Sequence, residues 1–177
     1  GSEAFPVAAL RVVMVQRGKS LTFEPAEIED MLHMEYGDKR MFALLSLLFP
    51  FVDLRNQFHI DHVFPISRFT RPRLRKARMD EKQLETAIRH ANELPNLQLL
   101  EGAINNEKRA EMPAEWLARH HRDAGTRSNY VGNHLLGELP VDLYGFEEFH
   151  TERREALRVK LTALLGSSAS VDSVDAE

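Results

Sequence analysis

Three short pieces of this chain carry residues that can do chemistry together. The first is His59-Ile60-Asp61-His62-Val63-Phe64-Pro65. It predicts a short strand that ends in an acid-histidine pair and is stopped by Pro65, which cannot extend a ladder. The second is the turn and apolar strand Leu94-Pro95-Asn96-Leu97-Gln98-Leu99-Leu100, and the third is the helix start Asn105-Asn106-Glu107-Lys108. The carboxylate of Asp61 and the amide oxygen of Asn105 are hard ligands suited to Mg²⁺ or Mn²⁺, ions that keep several waters and take few protein oxygens plus substrate phosphate. The imidazole of His62 can serve as a base near neutral pH.

Geometry constrains these roles. Neighbours in a regular strand point to opposite faces, so Asp61 and His62 serve one site only if the strand ends or twists there. Asn105, expected in the first turn of its helix, would present its oxygen where unpaired amides and the helix dipole favour phosphate. Asp61 and Asn105 are therefore assigned as metal ligands, and His62 as the base that takes a proton from an attacking water. Asn96 is expected to tie the loop after His62 and hold the imidazole's orientation. His59 shares a strand face with Asp61 and is either a third ligand or a neighbour supporting one. Lys108 and Arg109, one turn beyond Asn105, either reach phosphates or pair with nearby acids.

These pieces resemble the HNH, or ββα-metal, nuclease family, whose pattern is Asp-His, then Asn-Leu-x-x-Leu, then Asn-x-x-Lys. Here the three parts are Asp61-His62, Asn96-Leu97-Gln98-Leu99-Leu100 and Asn105-Asn106-Glu107-Lys108, within residues 58–109. The spacing to Lys108 favours Asn105 over Asn106 for the ligand position. The resemblance implies a single metal and phosphodiester hydrolysis, with His62, Asn96 and Asn105 in the signature positions. Two features depart from the pattern. Many members bind a structural zinc through cysteine pairs, but this chain has no cysteine and carries Glu101 and Ile104 where one pair would sit. No structural zinc is expected, and apolar packing must hold the motif together. A helical insertion over residues 66–93 also separates its halves.

A narrower resemblance rests on the cysteine-free His-x-Asp-His-x-x-Pro form, the insertion, and a closing helix with Phe146 and Phe149. These are similar to the C-terminal nuclease domains of SspE-like and GmrSD-like modification-dependent restriction and phage-defence proteins. That likeness implies DNA as substrate and an N-terminal nucleotide-hydrolysing sensor domain as partner. The chain itself has no Gly-rich phosphate loop.

The elements that must position these groups predict one mainly helical α+β domain over residues 1–166, large enough to bury a core without staples. Residues 6–16 are almost wholly apolar, and Gly18, Lys19 and Ser20 mark a turn. An amphipathic helix is expected over 24–34 with Pro25 in its first turn. Residues 39–49 form a helix apolar on every side, which belongs in the core behind the site and is too short to span a membrane. Within the insertion, 80–91 predicts a helix capped by Asp80. Further helices are expected over 113–122, with Trp116 and Leu117 buried, and from Phe146 to Gly166. Residues 125–130 are expected as a loop. His120 and His121, adjacent on a helix, do not face one site and are expected to be exposed.

Net charge is −4, but Asp172, Asp175 and Glu177 lie in a Ser-rich tail over 167–177 that is expected to be disordered. Arg68, Arg71, Arg73, Arg75, Lys76 and Arg78 form a basic run. The run either contacts DNA phosphates or is a solvated face answering Asp80, Glu81 and Glu85. The absence of cysteine fits a reducing, cytoplasmic setting. Gly1-Ser2 looks like the scar of a cleaved tag and no signal peptide follows, so a piece of a larger protein is expected. Two rivals to a DNA nuclease are a non-catalytic DNA-binding or docking module that keeps the fold, and a nuclease acting on RNA.

Overall fold

The computed structural model describes residues 23–51 and 56–166. The expectations for the apolar stretch 6–16, the turn after it and the tail 167–177 lie outside the described residues. Along the chain come α1 (Pro25–Leu32), α2 (Met41–Leu48), β1 (Phe58–His62), α3 (Arg71–Lys76), α4 (Glu81–His90), β2 (Leu97–Glu101), α5 (Gly102–Lys108), α6 (Pro113–His120), α7 (Ala124–Asn133) and α8 (Phe146–Leu165). The architecture is α+β and mostly helical. Among the described residues no helix is long and apolar enough to cross a membrane.

Local chemistry accounts for several boundaries. Asp80 Oδ1 accepts from Gln83 N (2.8 Å) while Gln83 Oε1 accepts from Asp80 N (2.9 Å), a reciprocal cap that starts α4. Proline opens α1 and α6, where a missing N–H costs nothing. Arg71, Arg73, Arg75 and Lys76 of the basic run fold into α3, whose one buried residue is Leu74, while Arg68 and Arg78 flank it.

The two strands pair antiparallel, with Asp61 opposite Gln98, His59 opposite Leu100 and His62 opposite Leu97. Paired residues share a face, so the sheet has two distinct sides. Ile60, Leu97 and Leu99 face a core built with Leu32, Leu45, Leu48, Phe49, Leu157 and Leu161 from α1, α2 and α8. Helix α2 thus backs the sheet as expected, but Phe42 is 40 % exposed and Ala43 is exposed, so it is buried on one side and not all round. The other face of the sheet carries His59, Asp61, Gln98 and Leu100. Leu100 packs with Trp116 and Leu117, and Ile104 joins them. A third cluster joins the insertion to α8 through Phe64, Phe69, Leu74, Leu84, Phe146 and Phe149. Phe64 lies 4.9 Å from Phe149 and 5.4 Å from Phe146, ring centre to ring centre.

Two further expectations need correction. Residues 125–130 are not a loop but lie within α7. Asp123 caps that helix by accepting from Thr126 N (2.8 Å), and Tyr130 and Val131 pack against the clusters around Phe64 and Trp116. Gly125 and Gly132 weaken its intrinsic helicity, so packing decides it. His120 and His121 are half-buried, because His120 stacks on Trp116 (5.2 Å) and His121 leans on Tyr130 (4.8 Å).

The insertion is closed by Asn96, which is fully buried. Its Oδ1 accepts from Phe64 N (2.8 Å), and its Nδ2 donates to Phe64 O (3.0 Å) and Ala91 O (2.8 Å). Its backbone carbonyl also accepts from Val63 N (2.7 Å). Asn96→Ala would leave buried backbone groups unpaired, at about 1–3 kcal/mol for each group that cannot find a substitute. The expected result is a loss of roughly 3 kcal/mol or more in urea unfolding. A change within about 0.5 kcal/mol would show that the amide does not close the insertion.

Candidate functional site

Asp61 is held at one oxygen. Its Oδ2 accepts from Lys108 Nζ at 2.8 Å and from Gln98 Nε2 at 2.9 Å. Lys108 comes from the last turn of α5 and its side chain is wholly buried, whereas that of Asp61 is 12 % exposed. The same ammonium donates to the backbone carbonyl of His62 (2.7 Å), so one cation pins both members of the acid-histidine pair. Burial pushes the Lys108 ammonium below its ordinary value, against the raising pull of Asp61. Of the two roles expected of Lys108, it takes the pairing with an acid.

His62 ends β1, and its ring leaves on the opposite face from Asp61. Its Nε2 lies 3.0 Å from Asn92 Oδ1. An amide oxygen can only accept, so the proton sits on Nε2 and Nδ1 keeps its lone pair. The ring of Tyr36 covers the imidazole at 4.8 Å. Both supports stand on one backbone bridge, in which Tyr36 N donates to Asn92 O (2.8 Å) and Leu94 N to Met34 O (2.8 Å). Burial pushes His62 below the ordinary histidine value, although Asn92 and Asp61 pull the other way, so the ring is neutral at neutral pH. The imidazole is thus oriented by Asn92, while Asn96 ties only the loop.

Asn105 is the fourth residue of α5, one turn in from the open amides at which it was expected. Gly102, Asn105 and Lys108 follow at three-residue spacing, which places them along one side of the helix. A Cβ at Gly102 would come within 3.1 Å of His59 Nε2, so glycine allows α5 to lie close on β1. Gly102 meets His59 and Lys108 meets Asp61, hence Asn105 falls between the two contacts, over the His59–Asp61 face.

Asp61 Oδ1 and the Asn105 amide have no hydrogen-bond partner among the described residues. Both offer hard oxygens, of the kind a divalent ion that keeps several waters takes as ligands. Among the described residues no three His, Cys, Asp or Glu side chains group around a metal position. His59 is exposed and abuts the start of α5.

The basic run is partly committed elsewhere. Arg71 donates to Glu81 (3.0 Å) and Glu85 (3.3 Å), and Arg75 to Glu81 (2.9 Å). Arg73 ties Ser67 O (2.8 Å), and Arg68 ties Ala110 O (2.9 Å) just past α5. Lys76 and Arg78 are exposed, with no side-chain partner among the described residues. Arg109 caps α5 with φ +47° and ψ −122°, a conformation costing a residue with a side chain about 1–3 kcal/mol.

Sequence reasoning missed Asn92, Tyr36, Gln98 and Tyr130. Gln98, an amide in the middle of an apolar strand, is the one that carried a local signal.

Asn92→Asp would place a carboxylate on His62 Nε2–H and favour the imidazolium. The His62 pKa should rise by about one unit or more, read by NMR titration of its ring protons. Any step that needs the neutral ring would then lose its rate at a correspondingly higher pH. An unchanged titration would show that Asn92 does not touch the ring. Comparison of the chain with protein-family models and with curated proteins gives no match.

Proposed function

We propose that this chain is a metal-dependent nuclease domain of the HNH type that hydrolyses DNA phosphodiester bonds. The observation that carries the reading is that a neutral, oriented imidazole on His62 ends the same strand on which Asp61 keeps one oxygen free, with the unpaired Asn105 amide on the helix that follows β2. These groups stand on two antiparallel strands followed directly by a helix.

In this reading His62 Nδ1 takes the proton of the attacking water while Nε2–H stays on Asn92. Water oxygen bonds to phosphorus, one P–O ester bond breaks, the leaving oxygen takes a proton from solvent and His62 returns its proton to solvent, so the products are a phosphate monoester and an alcohol. Asp61 Oδ1 and Asn105 would hold Mg²⁺ or Mn²⁺, which supplies positive charge for the growing charge on phosphate oxygens. Lys108 fixes the strand end so that His62 and Asp61 keep their relation. Arg109, Lys76 and Arg78 supply exposed positive charge for the backbone of the nucleic acid. The domain would serve as the effector of an anti-phage protein in the cytoplasm, controlled by a nucleotide-hydrolysing sensor domain.

A second reading, a binding module that keeps the fold without chemistry, draws on the Lys108–Asp61 ion pair. That pair already compensates the carboxylate that a metal would need. Conversion of supercoiled plasmid with Mg²⁺ or Mn²⁺, beside EDTA and His62→Ala controls and a parallel RNA substrate, separates the readings. Product that requires both metal and His62 is expected, with a loss of at least about a hundredfold in the variant. Folded, DNA-bound protein without product under any metal favours the binding module.

A further inference from the structure

The pairing at Asp61 extends outward in one direction. Gln98, only 1 % exposed, stands opposite Asp61 across the sheet, and its side-chain oxygen accepts from the hydroxyl of Tyr130 on α7 at 3.1 Å. A glutamine amide can turn either end toward a neighbour. Were its oxygen to face Asp61, two acceptors would meet in a buried place. The Asp61 carboxylate only accepts and so takes the NH₂ end, and the Tyr130 hydroxyl, donating to Oε1, holds the amide in that orientation. The phenol itself has little freedom. Its ring stacks on His134 at 4.1 Å and meets Trp116 edge-on at 5.6 Å, and burial pushes its ionisation up, so it stays protonated and remains a donor.

We propose that Tyr130 and Gln98 are positioning residues that act in series to turn the Asp61 carboxylate, so that Oδ2 is spent inside the protein and Oδ1 is presented to a divalent cation. This rests on the reading of Asp61 as a metal ligand, and adds a helix from outside the motif to the parts that site needs. Lys108 alone holds Oδ2 by a single donor, about which the carboxylate can rotate. The second donor, set at an angle by Gln98, fixes the plane of the group.

The test is Mn²⁺ binding to the whole chain, followed by electron paramagnetic resonance of the free ion, with Asp61→Asn as the reference for loss of the site. Tyr130→Phe keeps the ring and its stacking, and Gln98→Met keeps volume while removing both amide ends. Each should weaken the Asp61-dependent binding roughly five- to tenfold, the size of one lost hydrogen bond, while the thermal midpoint of Tyr130→Phe stays within a few degrees. Because Tyr130 acts through Gln98, the double variant should bind no worse than Gln98→Met alone. Asp61-dependent binding that is unchanged in both single variants would overturn the proposal and leave the metal site standing. Additive losses in the double variant would also overturn it, by showing that Tyr130 does not work through Gln98. Absence of any Asp61-dependent binding in the unaltered chain would defeat the metal reading and this inference with it.

Discussion

The structure depends on one buried amide. The strand that ends at His62 and the strand that begins at Leu97 are separated in sequence by two helices and their connections, and a two-stranded ribbon has little stability of its own. Asn96 joins them at the point of entry. Its side chain bonds both backbone groups of Phe64 and the carbonyl of Ala91, so the chain leaving β1 and the chain arriving from α4 meet on a single residue. No apolar residue could do this, because the groups it satisfies are polar and buried. Everything at the site inherits its register from that closure.

With the register set, the acid-histidine pair is held from both sides of the sheet. Lys108 enters from α5 and bonds Asp61 and the His62 carbonyl together. Removing two opposite charges from water is costly, and their attraction alone does not ensure a gain in stability. The added bonds to the His62 carbonyl and from Gln98 make the arrangement specific, and it leaves one carboxylate oxygen uncommitted. From the other side, Asn92 and Tyr36 hold the ring. The backbone bridge that carries them continues to Glu93, whose carboxylate sits 3.1 Å from His33 and 3.2 Å from His150. The two residues that hold the His62 ring therefore stand on the same segment that ties α1 to α8.

Polar residues inside the core mark where sheet and helices must be joined, not merely packed. Arg153 lies in the apolar stripe of α8 and is 1 % exposed. It donates to Pro95 O (2.8 Å) and His134 O (3.3 Å), which anchors the turn containing Asn96 to the end of α7. A side chain of this length reaches carbonyls that no helix backbone can approach, and its methylene stem packs like an apolar residue.

The sequence by itself determined most of the helices and both strands. Apolar spacing, Asp80 with Gln83, and the prolines opening α1 and α6 are local signals, and local physics answers them. It also named Asp61, His62, Asn96, Asn105 and Lys108, because their types and order are legible without coordinates. Only the tertiary structure decided what each one touches. Helix α7, poor in helix formers, exists because Tyr130 and Val131 find a surface to pack on. Lys108 became a buried partner of Asp61 because α5 closes onto β1 over Gly102. Asn92, Tyr36 and Tyr130 come from distant segments, and no spacing along the chain announces a contact that only folding creates.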